Sequence, residues 1–232
     1  MNKTIGFIQP GKIGDIIILL PAAKYYFDKG YTVFWPIYES YIDMFREAVT
    51  YVNFLPVKNN VYTCIREAYN MLNEKSVTNI KDVAATFPDS VSTKEYVRLG
   101  DGLTQNFDIF KYNGLGVPIE EKWKLSVKRD KLKEEGLYKK LVKRDKYAVV
   151  NLKHSMGVIN VDLDFGDGQV IYVTEDYNLF HWLTILEKAT TIALVDSCMS
   201  NLVEQMNIDC NKILFTKEDK RLPVLRNNWK IV

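Results

Sequence analysis

Strand-length apolar runs alternate with helix-length segments along this chain, and that alternation restricts it to few folds. Residues 4–9 (TIGFIQ), 32–36 (TVFWP), 51–55 and 82–87 (DVAATF) read as strands. Between the first three lie helical segments at 16–27, which Pro21 would kink, and at 39–49. A further helix is read at 61–74, with Ile65, Ala68, Tyr69 and Leu72 as its apolar positions. Strands that alternate with helices predict an α/β fold, an open parallel sheet with helices on both faces.

The strongest punctuation is Asn113-Gly114-Leu115-Gly116-Val117-Pro118, which follows a partly helical stretch at 96–112. It predicts a join there, with domains at 1–118 and 119–232. The second half is read as a strand at 124–127, a helix at 132–142 and a strand at 147–152 (YAVVNL). Ile159, Val161, Leu163 and Phe165 then alternate with Asn160, Asp162 and Asp164. Asp167-Gly168 follows, so residues 159–174 are expected to form a β-hairpin. A helix at 179–189, strand at 191–195, helix at 198–206 and strand at 212–215 complete the pattern, before a tail at 216–232 read as irregular.

Of the 232 residues, 31 are Lys or Arg and 29 are Asp or Glu, a formal charge of +2 that demands no polyanionic partner. The basic stretch 122–146 is interleaved with acids and reads as a solvated helix; nothing in it directly supports nucleic-acid binding. Three cysteines (Cys64, Cys198, Cys210) lack CxxC spacing, and there are only two histidines, so neither a disulfide scaffold nor a His/Cys zinc site is expected. No leader-like layout opens the chain, and the apolar run 16–23 is too short to cross a bilayer. A cytoplasmic protein is the expectation.

Three segments carry candidate chemistry. Gly11-Lys12-Ile13-Gly14-Asp15 joins a strand to a helix, which puts backbone N–H groups and a carboxylate at the strand's carboxyl edge. Asp15 there is either a general base or a plain helix cap. The GxxG spacing is neither a dinucleotide fingerprint nor a P-loop. Asp196-Ser197-Cys198-Met199-Ser200-Asn201 also follows a strand and opens a helix. It offers acceptors and hydroxyls to a phosphate or ribose, or merely to its own helix. Lys153, His154 and Ser155 end the strand at 147–152, where positive charge could meet a leaving diphosphate. Asp162-Leu163-Asp164 is formally a DxD, but its alternating setting reads as a solvated strand face.

Ile13-Gly14-Asp15 followed by Leu20-Pro21-Ala22 resembles the opening signature of heptosyltransferase-type glycosyltransferases of family 9. The segment 183–202 resembles the same family's downstream signature, in which a helix and a strand lead to Asp-Ser/Thr-Gly-x-x-His-Leu-Ala. The resemblance implies the GT-B architecture: two Rossmann-like domains facing a cleft, here with the hairpin as a variation in the second. It implies inverting, metal-independent transfer from a nucleotide sugar, a co-substrate and not a cofactor, to an acceptor hydroxyl. The acceptor would be a saccharide; a hydroxymethylated base in phage DNA is the alternative that the basic stretch 122–146, not the resemblance, leaves open. Asp15 matches the catalytic base, and Gly11, Lys12 and Gly14 form the acceptor-side turn. Asp196, Ser197, Cys198, Ser200 and Asn201, with Lys153, His154 and Ser155, fall at the donor side. Two departures stand out: Cys198 replaces the family's glycine and Asn201 its histidine. They leave a non-catalytic nucleotide- or sugar-binding module as the alternative. A methyltransferase or dehydrogenase is disfavoured by the missing GxGxxG.

Overall fold

The computed structural model describes residues 3–98, 106–154, 157–216 and 223–232. It comprises two compact units, Met1–Lys128 and Arg129–Val232.

The first unit is built on four parallel strands: β1 (Lys3–Ile8), β2 (Tyr31–Tyr38), β3 (Val52–Val57) and β4 (Ile80–Asp82), in the order β3-β2-β1-β4. β1 is paired on both sides and covered on both faces, which is why its sequence is a nearly unbroken apolar run. Helices α1 (Ile13–Asp28), α2 (Ile42–Ala48) and α3 (Cys64–Glu74) connect the strands; α4 (Val91–Arg98) and α5 (Phe107–Leu115) follow β4. α1 runs unbroken through Pro21, and the hydroxyls of Tyr112 and Tyr51 donate to its carbonyls at Ile18 (2.9 Å) and Leu20 (3.3 Å). β2 likewise passes through Pro36. Its ladder with β1 ends at Phe34, so the missing N–H of Pro36 leaves no gap on that side.

Three expectations for this unit need correction. The fourth strand stops at Asp82 because that side chain accepts from the backbone N–H of Ala84 (3.1 Å) and Val91 (3.0 Å), turning the chain at the point read as its start. No strand forms at 124–127. Gly116, left-handed at φ 68°, closes α5. The chain does not leave the unit there: a 3-10 turn at Ile119–Trp123 packs back on α1 and α5, and the Lys122 ammonium meets the Asp108 carboxylate at 2.6 Å, both fully buried. The first unit therefore extends beyond residue 118.

The second unit holds α6 (Lys131–Leu141), β5 (Tyr147–Asn151), the short antiparallel pair β6 (Lys153–His154) and β7 (Gly157–Val158), and β8 (Gln169–Tyr172). α7 (Leu183–Lys188), β9 (Thr191–Val195), α8 (Cys198–Met206), β10 (Asn211–Phe215) and β11 (Trp229–Ile231) follow. Five strands form a parallel sheet in the order β11-β10-β9-β5-β8. Arg129 fastens its entrance through Glu134 and Glu187 (2.6 Å each), with Thr184 also donating to Glu134 at 2.7 Å.

The hairpin at 159–174 does not form. β8 pairs with β5 in parallel, and residues 159–165 lie outside any ladder. Their alternation is nevertheless real: Ile159, Val161, Leu163 and Phe165 pack on the core cluster of Val150, Ala193, Val195 and Phe215, while Asn160, Asp162 and Asp164 face water. An extended segment thus covers a sheet face that a crossover helix would otherwise cover. The tail expected to be irregular supplies the edge strand β11. Glu204, buried on α8, holds it by accepting from the backbone N–H of Arg226 (2.6 Å) and the indole of Trp229 (2.7 Å).

Candidate functional site

In the first unit the chain leaves β1 and turns through Gln9 to Lys12 into α1. Gly11 is required by contact: a Cβ there would lie 2.5 Å from the Tyr38 ring. Lys12, at φ 61°, is the residue before the first helical turn, and its carbonyl accepts from the N–H of Asp15 at 3.0 Å. Gly14 is half-buried in that turn. Asp15 is therefore not the cap that one reading of the sequence made it. It sits inside the first turn, where the helix dipole favours an anion.

The Asp15 side chain is 10% exposed, and its Oδ1 lies 3.7 Å from Nζ of Lys111, which is fully buried. That ammonium donates to the carbonyl of Val83 (2.6 Å) and to Oε1 of Gln9, and lies 4.3 Å from the centre of the Phe107 ring. Gln9 in turn donates to the carbonyl of Gly11 at 2.8 Å, so the ammonium and the turn share one buried amide. Burial raises the Asp15 carboxyl above its usual range, against the opposing pull of Lys111 and Lys12. Burial also pushes Lys111 down to about 8, resisted by Asp15 and Asp82. Sequence reading missed Gln9, Lys111 and Asp82. The available signal was in α5, where Asp108 and Lys111 share the buried face with Tyr112 and Leu115.

In the second unit the ends of β5 and β9 bring two candidate segments together: Nδ2 of Asn151 lies 3.5 Å from Oγ of Ser197. Ser197 precedes α8 in extended conformation, and its N–H donates to the Ser200 hydroxyl at 2.9 Å; Ser200 is buried and spends its oxygen on the cap. Asp196 is exposed beside it. Asn201 is buried, with Oδ1 lacking a hydrogen-bond partner among the described residues. The Cys198 thiol is raised by burial. Lys153 is exposed and paired with Glu175 at 2.8 Å. His154 closes the β6–β7 pair opposite Gly157, and Ser155 lies outside the described residues. A cleft of about 530 Å³ opens at this edge, lined among others by Asn151, Lys153, Ile159, Asp162 and Tyr172. Among the described residues, no three His, Cys, Asp or Glu side chains are grouped to hold a metal, and no helix is long and apolar enough to cross a membrane.

No protein-family model and no curated protein matches the chain. Solved structures do. A family 9 glycosyl transferase from Veillonella parvula aligns over 100% of this chain and 87% of its own, with TM-score 0.67 and 11% identity. This chain has the heptosyltransferase-like family 9 fold. ADP-heptose LPS heptosyltransferase II of E. coli aligns over 99% of this chain and 90% of its own, at TM-score 0.59 and 9% identity. E. coli heptosyltransferase WaaC, solved with ADP-2-deoxy-2-fluoro heptose, gives 99%, 92%, 0.52 and 14%. At such identities the family 9 fold is retained by a sequence of largely different residues.

Proposed function

We propose that the protein is a glycosyltransferase of the GT-B type that moves a sugar from a nucleotide-sugar donor to an acceptor hydroxyl with inversion. The observation that carries this reading is the buried Asp15 carboxylate at the carboxyl edge of the first sheet, at the position where the family 9 resemblance puts the base. The acceptor hydroxyl gives its proton to Asp15 as its oxygen bonds to the anomeric carbon. The bond from that carbon to the diphosphate oxygen breaks, and the nucleoside diphosphate leaves with the electron pair. A carboxyl raised by burial is a stronger proton acceptor than an exposed aspartate. On the second unit, the start of α8 supplies positive potential for the leaving diphosphate, and the exposed Lys153 ammonium adds to it when it exchanges its partner Glu175 for the diphosphate. The solved E. coli relative carrying an ADP-sugar analogue makes ADP sugars the first donors to try.

A thermal-shift screen across ADP, UDP, GDP and CMP sugars is expected to identify the donor by stabilisation. Transfer measured by mass spectrometry should then persist in EDTA. Asp15→Asn should lower the rate by about 10²–10⁴-fold with donor binding retained; normal transfer by that variant would remove Asp15 as the base. Cys198, which puts a side chain where the family has glycine, favours a second reading: a donor-binding module without turnover. Binding with no transfer, and indifference to Asp15→Asn, would identify it.

A further inference from the structure

The geometry points to Lys111 as a positioning residue for Asp15: a buried ammonium, fixed from behind by Gln9 and Val83, that aims the carboxylate and holds it charged. The inference rests on the reading of Asp15 as the base. Lysine is seldom fully buried, and no surface function explains one at this depth. Its two bonded acceptors are neutral, and the Phe107 ring is a neutral surface. The nearest anion is Asp15, whose Oδ1 lies 3.7 Å from Nζ. The contact is a close charge pair inside the protein, which favours the ionised carboxylate and fixes the side it faces. A base needs to be ionised and held in place, with a lone pair available for an incoming hydroxyl.

The surrounding charges are consistent with this assignment. Lys12, from the start of α1, favours the Asp15 anion and opposes Lys111. Asp82, at the end of β4, supports Lys111 as a cation while its own carboxylate is held by Ser90 (2.6 Å) and the N–H groups of Ala84 and Val91. Asp108, on Lys111's own helix, is taken by Lys122 from the 3-10 turn packed against it. Burial alone would favour a protonated Asp15 and a neutral Lys111; each counteracts that tendency in the other, so their titrations are coupled.

The coupling can be read without substrate. In the full chain carrying ¹³C-labelled aspartate and lysine, NMR titration follows the Asp15 carboxyl and the Lys111 ammonium. Lys111→Met should raise the Asp15 midpoint by about one to three units. Asp15→Asn should lower the Lys111 midpoint below its wild-type value, and by linkage the two shifts should match. Should Lys111→Met fail to fold, the near-isosteric Asp15→Asn decides alone. A Lys111 midpoint unmoved by Asp15→Asn overturns the inference, as does an Asp15 midpoint unmoved in a folded Lys111→Met. Neither result depends on turnover, so the base assignment stands or falls separately, on transfer by Asp15→Asn.

Discussion

At Gly11 one hydrogen atom decides the geometry of a turn. Gly11→Ala must push the Tyr38 ring aside, and overpacking of this kind destabilises by about 1–3 kcal/mol. Urea unfolding should show a lower midpoint at an unchanged m-value. Lys111 makes a second measurable residue-level contribution. Burial lowers it from the ordinary 10.5 to about 8, so between those values the unfolded chain binds more protons than the folded one. In that window its contribution to stability rises with pH and is lost as pH falls through about 8. Cys64, Cys198, Cys210 and several tyrosines, all raised by burial, give the opposite slope at high pH, so the Lys111 contribution is read as a difference: the gap in urea midpoint between wild type and Lys111→Met should move in favour of the wild type as pH rises from about 8 to about 10.5. The Gly11–Asp15 turn was legible because glycines and a strand–helix switch are local signals. Lys111 was not, since its partners Gln9, Asp15 and Val83 come from distant parts of the chain and only the tertiary fold brings them to one ammonium.

Among the elements, the segment at 159–165 separates what periodicity determines from what it leaves open. A period of two fixed which side chains turn inward but said nothing of the ladder partner, and the expected hairpin gave way to a parallel β5–β8 pairing. Val161→Asp should destabilise the second unit by about 1–2 kcal/mol, through loss of apolar contact with the cluster and partial desolvation of the new carboxylate, whereas Asp162→Ala should be close to neutral. Urea unfolding of both variants checks the assignment of faces. The tail was illegible for a different reason. β11 is short, and beside its ladder with β10 it is held by one carboxylate, Glu204, whose bonds to Arg226 and Trp229 reach across the chain. Glu204→Ala should cost about 2–4 kcal/mol and strip hydrogen-exchange protection from Trp229–Ile231, because two donors lose their acceptor.

For the whole molecule, the alternation of strands and helices and the ordered pair of signatures were enough to read the α/β class and the likeness to family 9, although solved structures of that fold share only 9–14% of residues. Gly11 and Glu204 keep their partners inside their own units, so the destabilisations from Gly11→Ala and Glu204→Ala should add to within about 0.5 kcal/mol in the double variant. The extended stretch over the second sheet has a consequence for how the neighbouring cleft behaves. Ile159 and Val161, which help line that cleft, belong to a covering only one chain thick, held by side-chain packing and, at its start, by the backbone bond from the Ile159 N–H to the Leu152 carbonyl (2.9 Å). Few backbone bonds hold such a wall, so its amides should exchange hydrogen faster than those of the paired strands β5, β9 and β10. The shape of anything accommodated there is then set by a yielding margin on one side and a stiff strand end on the other.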